Sequence, residues 1–159
     1  MFANSVSNVR SSKILAGGEG ESFTMMGLVI TPKVTGEDTQ GAYCVIEQQA
    51  TPGAGSPPHY CHAEEKTFYI LDGEFDVLVG ERVEQAKAGD VVFIPRGTLH
   101  NYKNTGLKPG RLLAVLIPSG HENFLRELSQ LFQNGRPTME QMQAVSAPYQ
   151  VELVPPKGA

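Results

Sequence analysis

Short apolar runs separated by turn formers dominate the first three quarters of the chain. Residues 23–31 are rich in Met, Val and Ile and read as strand, with a turn at 36–38. Residues 43–48 read as a second strand. Residues 51–58 hold three Pro and two Gly and are excluded from any regular ladder. Residues 67–71, β-branched and aromatic, form another strand. The Asp72-Gly73 pair turns it into a return strand over 74–79. A further turn is read at 79–82, a strand at 91–94 ending on Pro95, and a strand opening at His100. Residues 112–117 are continuously apolar and read as a buried strand.

The periodicity then changes from two to near four. Ser119-x-x-Glu122 reads as a capping box. Phe124, Leu125, Leu128, Leu131 and Phe132 fall on one helical face. Asn134-Gly135 closes that helix, with Pro137 beyond it. Thr138-x-x-Gln141 caps a second short helix through about Val145, and residues 149–154 alternate as a last strand. The expected layout is an arm over 1–20, an all-β barrel over 21–118, and helices with a closing strand over 119–159. Seventeen Gly and 11 Pro suit an all-β domain with many tight turns.

Composition narrows the partners. The 159 residues fit one domain with a core. Thirteen basic against 17 acidic residues leave a net charge of −4 with no basic run, which argues against nucleic acid and anionic membrane. The longest apolar run is too short to span a bilayer. Residues 1–10 lack an apolar leader, so the expected location is cytoplasmic and Cys44 and Cys61 are expected as reduced thiols.

Two stretches carry the chemistry. Residues 89–104 read G-D-V-V-F-I-P-R-G-T-L-H-N-Y-K-N, and residues 55–73 read G-S-P-P-H-Y-C-H-A-E-E-K-T-F-Y-I-L-D-G. Together they resemble the two motifs of the cupin superfamily. The second motif, G-x5-P-x-G-x2-H-x3-N, is met at Gly89, Pro95, Gly97, His100 and Asn104. The first asks for His-x-His, then Glu, then Gly after six residues. His59 and Gly73 are present, but Cys61 takes the second histidine position and Lys66 the glutamate position. The C-terminal pattern from Pro118-x-Gly120 onward is similar to single-domain cupins grouped with quercetin-dioxygenase-like proteins. The resemblance implies a double-stranded β-helix, or jelly roll, with a short helical C-terminal segment. It also implies a homodimer and a small-molecule ligand or substrate in the barrel.

In that family four inward side chains, three His and one Glu, hold a divalent transition metal. Here the corresponding positions are His59, Cys61, Lys66 and His100. Strand alternation puts 59 and 61 on one face. His59 and His100 are the candidate metal ligands, with Cys61 as a third, for Zn, Fe, Mn or Ni. Lys66 opposes any such ion. A unit charge at about 4 Å is worth on the order of 4 kcal/mol at an effective dielectric near 20. The loss of the carboxylate acts in the same direction, so a site without metal is the alternative.

Other readings stand beside these. A shifted frame would recruit His62 with Glu64 or Glu65, but Gly73 pins the register and a one-residue slip reverses every side chain. Cys61 is either a small buried hydrophobe or, with its pKa lowered by Lys66, a nucleophile. Lys66 is either a catalytic amine or the partner of Glu64 or Glu65. His121 is expected at a helix start without chemistry, and Asn104 is expected to hold a turn. Phe68 and Ile70 follow Lys66 inward and Tyr102 follows His100, which gives an aromatic pocket wall. Three functions follow as expectations: a metal-dependent dioxygenase of the quercetinase-like kind; a metal-free isomerase, cyclase or lyase using Cys61, Lys66 and the histidines; or a non-catalytic ligand sensor.

Overall fold

The computed structural model describes residues 10–155. Eleven strands and three α-helices run in chain order through these residues. They are β1 (Phe23–Met25), β2 (Leu28–Val34), α1 (Gly36–Thr39), β3 (Cys44–Ala50), β4 (His59–Cys61), β5 (Glu65–Asp72) and β6 (Glu74–Val79). Then come β7 (Arg82–Lys87), β8 (Val91–Ile94), β9 (His100–Asn104), β10 (Gly110–Ile117), α2 (His121–Phe132), α3 (Met139–Ser146) and β11 (Val151–Leu153).

Two antiparallel sheets face each other. One runs β1-β2-β3-β10-β5-β8 and the other β11-β4-β9-β6-β7. This is the jelly roll the motif pattern implies. Inward residues alternate with outward ones on most strands. On β5, Lys66, Phe68 and Ile70 are buried while Tyr69 is exposed. On β10, Leu112, Ala114 and Leu116 face the core. Phe75, Val77, Ile30 and Ile46 complete it from the remaining strands.

The residues 51–58 loop is irregular, as three prolines require, and its backbone bridges to β9 through Gly55 and Lys103. Gly73 turns β5 into β6 at φ +89°, a conformation that side chains rarely adopt. Asn104 holds the turn after β9 as expected. Its amide nitrogen donates to the Ala50 and Lys108 carbonyls at 2.9 Å each, and its oxygen accepts from the Gly106 N–H at 2.8 Å.

Five local expectations are corrected. Residues 23–31 are not one strand: a turn at Met26 and Gly27, both at positive φ, folds them into the antiparallel pair β1–β2. Residues 36–38 belong to the short helix α1, because Thr35 and Asp38 form a capping box there. β7 has no counterpart in the sequence reading. Five of its six residues are exposed, so it shows little apolar alternation, and its pairing with β6 defines it. α2 is not capped by Ser119: Gly120 is its N-cap. Glu122 instead accepts from the Gly120 N–H at 2.8 Å and the Gly36 N–H at 2.7 Å, which ties α2 to α1. The last strand is shorter than 149–154, since residues 147–149 form a 3-10 turn.

The second capping box is present: Thr138 Oγ1 accepts from Gln141 N–H at 3.1 Å. Phe124, Leu125 and Leu128 are buried, and Leu131 and Phe132 pack on the core, as the helical spacing predicts. Residues 1–9 of the expected arm lie outside the described residues. Its continuation lies along α1, where Arg10 donates to the Thr39 carbonyl at 3.2 Å and Lys13 pairs with Asp38. No helix among the described residues is long and apolar enough to cross a membrane.

Candidate functional site

β4 and β9 pair at a single register point, His59 opposite His100. Their ring centroids are 4.2 Å apart. β4 also places Cys61 on the same buried face, and β5 brings in Lys66, 4 % exposed. All four motif positions are therefore buried together, in the frame that Gly73 sets. His62 points the other way: it is half exposed and bonds Glu152 at 3.0 Å. The shifted frame with His62 is not adopted.

Hydrogen bonding assigns the imidazole protons. His59 Nδ1 lies 2.8 Å from the Pro57 carbonyl, which can only accept. Nδ1 therefore carries the hydrogen, and Nε2 presents a lone pair 3.2 Å from Lys66 Nζ. His121, at the start of α2, repeats the pattern. Its Nδ1 donates to Glu64 Oε1 at 2.6 Å, and its Nε2 lies 3.4 Å from the same Lys66 Nζ. An unbroken chain results: Glu64 carboxylate, His121, Lys66 ammonium, His59, Pro57 carbonyl. Lysine supplies three donors and no acceptor, so both imidazoles accept from it as neutral rings.

Lys66 thus pairs with histidines rather than directly with Glu64 or Glu65. Its counter-charge is Glu64, reached through His121. Burial raises the Glu64 pKa, but the hydrogen bond from His121 and the Lys66 charge outweigh it and hold the carboxyl below its usual range. His121 is a functional candidate that the sequence reading set aside. Its one available signal was adjacency to the helix start after Gly120, and that says nothing of Glu64, 57 residues away.

Burial, then the Lys66 charge, depress the pKa of His59, His100 and His121 together. His100 falls to about 3. Its Nδ1 donates to the Thr98 carbonyl at 2.8 Å, and its Nε2 is the single buried side-chain nitrogen or oxygen without a partner among the described residues. Burial pushes the Cys61 thiol up to about 11, against a smaller downward pull from Lys66. At neutral pH Cys61 is a thiol, so the activating effect expected of Lys66 does not prevail.

Phe68 and Tyr102 stand edge to face with centroids 5.7 Å apart, and the Tyr102 hydroxyl donates to Gln48 Oε1. Lys66, His59, His121, Gln48, Phe68 and Tyr102 are among the walls of a chamber of about 50 Å³. β1, β2 and α2 close it with Met25, Leu28, Phe124, Leu125 and Leu128. Ile70 and His100 are buried beside this chamber, outside its immediate lining.

Two trios of buried donors can hold a metal ion. In each, the ligand atoms lie within 4.8 Å of one another: His59, Cys61 and His100, and Cys61, Glu64 and His121. The donor types suit a soft divalent ion. The occupant of the fourth position does not. An ammonium 3.2 Å from a donor of the first trio and 3.4 Å from a donor of the second repels any cation between them. With Lys66 as placed, the site does not fit a resident divalent metal.

Comparison with known proteins places this geometry. Residues 47–116 match the family described as "Cupin domain". Quercetin 2,3-dioxygenase of Bacillus subtilis is 24 % identical over 120 residues, which is 76 % of this chain and 35 % of that protein. An uncharacterized protein of Aquifex aeolicus is 37 % identical over 62 residues, 39 % of this chain and 50 % of that one. The chain therefore spans half or less of the curated relatives it matches.

Among solved structures, an RmlC-like cupin from Shewanella frigidimarina aligns with TM-score 0.60 and 20 % identity, covering 71 % of this chain and 96 % of that one. A predicted oxalate decarboxylase from Thermotoga maritima aligns with TM-score 0.61 and 24 % identity, over 67 % and 99 % of the two chains. Identities this low speak for the fold alone.

Proposed function

We propose that this chain, whose residues 47–116 match a cupin domain, binds a small organic molecule in its barrel and acts on it by acid–base chemistry without a resident metal. The carrying observation is the buried ammonium of Lys66 on two neutral imidazoles, beside the unpartnered lone pair of His100.

Lys66 retains one N–H beyond the two that serve His59 and His121. That donor is suited to a substrate carbonyl or hydroxyl oxygen, whose developing negative charge an ammonium in a poorly hydrated chamber stabilises. His59 Nε2 and His121 Nε2, which line the chamber with lone pairs turned to Lys66, are suited to accept a proton there; the unpartnered His100 Nε2 is buried outside that lining. His59 orients Lys66, and the Glu64–His121 pair neutralises and positions it. Proton transfer at a carbon next to a carbonyl, the step shared by isomerases and several lyases, needs this set and nothing else. Cys61 is then a buried neighbour outside the chamber lining, whose protonated thiol adds no second negative charge.

The test begins with a thermal-shift screen of small carbonyl and hydroxyl compounds against the wild type and Lys66→Met. Compounds that stabilise only the wild type are then followed by proton NMR in D2O. Enzyme-dependent exchange at the carbon next to the oxygen, retained after dialysis against chelator, is expected. Binding without exchange would establish the non-catalytic sensor. Exchange that requires about one equivalent of transition metal would establish a metal-dependent enzyme instead.

The same reading carries a cytoplasmic location, supported by two free buried cysteines. It also carries a homodimer. The outer face of the six-stranded sheet exposes Tyr69, Val91 and Phe93, adjacent across the β5–β8 pair, an apolar patch of the kind a second copy covers. Sedimentation equilibrium of Phe93→Lys against the wild type tests it; two monomers would refute the dimer.

A further inference from the structure

A second cavity, of about 1020 Å³, lies between the barrel rim and the C-terminal helices. Leu78, Leu99, Phe132, Pro137, Met139 and Met142 give it an apolar wall. It shares three residues with the small chamber around Lys66: Met26, Pro57 and Leu153 line both. The two spaces are unlike in size. The inner one holds roughly four water-sized groups. The outer one has room for the body of a larger molecule.

We propose that the two cavities are one site for an amphiphile, with a neutral oxygen head in the Lys66 chamber and an apolar body in the outer groove. This inference rests on the reading of the chamber given above. Charge selects the head. Lys66 and Glu64 already balance through His121, and His59 and His121 each donate from Nδ1 and turn an Nε2 lone pair to Lys66, so the hydrogen-bonded chain at the chamber sums to zero. A carboxylate or phosphate entering it would be a buried charge without a counter-ion, whereas a hydroxyl or carbonyl needs only the remaining Lys66 donor. Size selects the length, because the inner chamber admits a head and nothing more.

Met26 stands at the neck. It is 38 % exposed, lines both spaces, and is unbranched, so a rotation about its side-chain bonds opens the passage without moving backbone. Met139 and Met142 opposite give the groove a surface that adapts to different bodies.

Isothermal titration with ethanol, 1-butanol, 1-hexanol and 1-octanol, and with octanoate, tests the inference on the full chain. Affinity is expected to rise about fourfold per added methylene, with 1-octanol at least tenfold tighter than octanoate. Met142→Arg should remove at least tenfold of the 1-octanol affinity and leave ethanol unchanged. Lys66→Met should weaken every alcohol.

Flat affinity along the series with Lys66 still required would sink the joined site and leave the chamber reading standing. The wild-type series decides this even if Met142→Arg fails to fold. A steep series indifferent to Lys66→Met would sink both, as would no binding by any alcohol. Met142→Arg that changes the oligomeric state but not 1-octanol affinity would assign the groove to a second copy and overturn the proposal.

Discussion

Lys66 Nζ lies 3.2 Å from Nε2 of His59, a candidate metal ligand by the motif resemblance. The ammonium occupies ground that a divalent cation would need. The orientation of His59 serves either partner equally, since Pro57 fixes its Nδ1 proton and leaves Nε2 free to accept or ligate.

Restoring the acidic residue should therefore restore a metal site. Lys66→Glu removes one positive charge and adds a carboxylate beside His59 and His100, a two-histidine, one-carboxylate set. Calorimetry with Zn(II), Mn(II) or Ni(II) should show about one ion bound, at least about a hundredfold tighter than to the wild type. Equal affinity in the two proteins would mean that the ammonium does not govern the site.

Glu64 and Lys66 should be energetically coupled through His121. Glu64→Gln leaves a buried ammonium with no counter-charge and should cost about 3 kcal/mol in urea unfolding. Glu64→Gln combined with Lys66→Met should cost clearly less than the sum of the two single changes. Additive costs would break the hydrogen-bonded chain as an explanation.

Acid should unfold the protein early. The folded His100 titrates near 3 against an ordinary 6.5, with His59 and His121 shifted the same way. Between those values the unfolded chain binds protons that the folded one refuses. Stability is thus full above about pH 6.5 and falls below it, by up to ~1.4 kcal/mol per pH unit for each histidine. Glu64 acts with the same sign: its folded value is below 4.5, so its contribution is present above 4.5 and is lost as pH falls through the folded value. Chemical unfolding from pH 7.5 to 4.5 should show this slope, and His100→Gln should flatten it. An unchanged slope in that variant would discount the buried imidazole.

Neither cysteine should react quickly. Burial pushes Cys61 up to about 11 and Cys44 higher still, the latter helped by Glu122. A disulfide reagent at pH 8 should label both thiols only in denaturant. Fast native labelling of Cys61 would revive it as a nucleophile.

Gly55 should not tolerate a side chain. A Cβ there would come within 1.9 Å of the Tyr102 carbonyl oxygen. Gly55→Ala should lose about 2–3 kcal/mol, or displace the loop from β9, with the shift read from the melting temperature. Wild-type stability would show that the loop–β9 contact yields at little cost.

The barrel and the burial of its four motif positions were legible from the resemblance of the two motifs to the cupin pattern, with strand alternation supplying the frame. Alternation decides which side chains share a strand face, and the turns at Gly73 and Gly97 set its frame. His59, Cys61, Lys66 and His100 are therefore buried together, as the motif pattern expects. β7 was not legible, because its polar residues hide the alternation and only pairing with β6 makes it a strand. The partners of Lys66 were not legible either. His121 lies 55 residues further along the chain, and no local pattern records that α2 closes over the chamber. Strand frame is a short-range property of the chain. Which neutral acceptors surround a buried charge depends on long-range packing, and here that packing gave Lys66 two imidazoles where adjacent glutamates were expected.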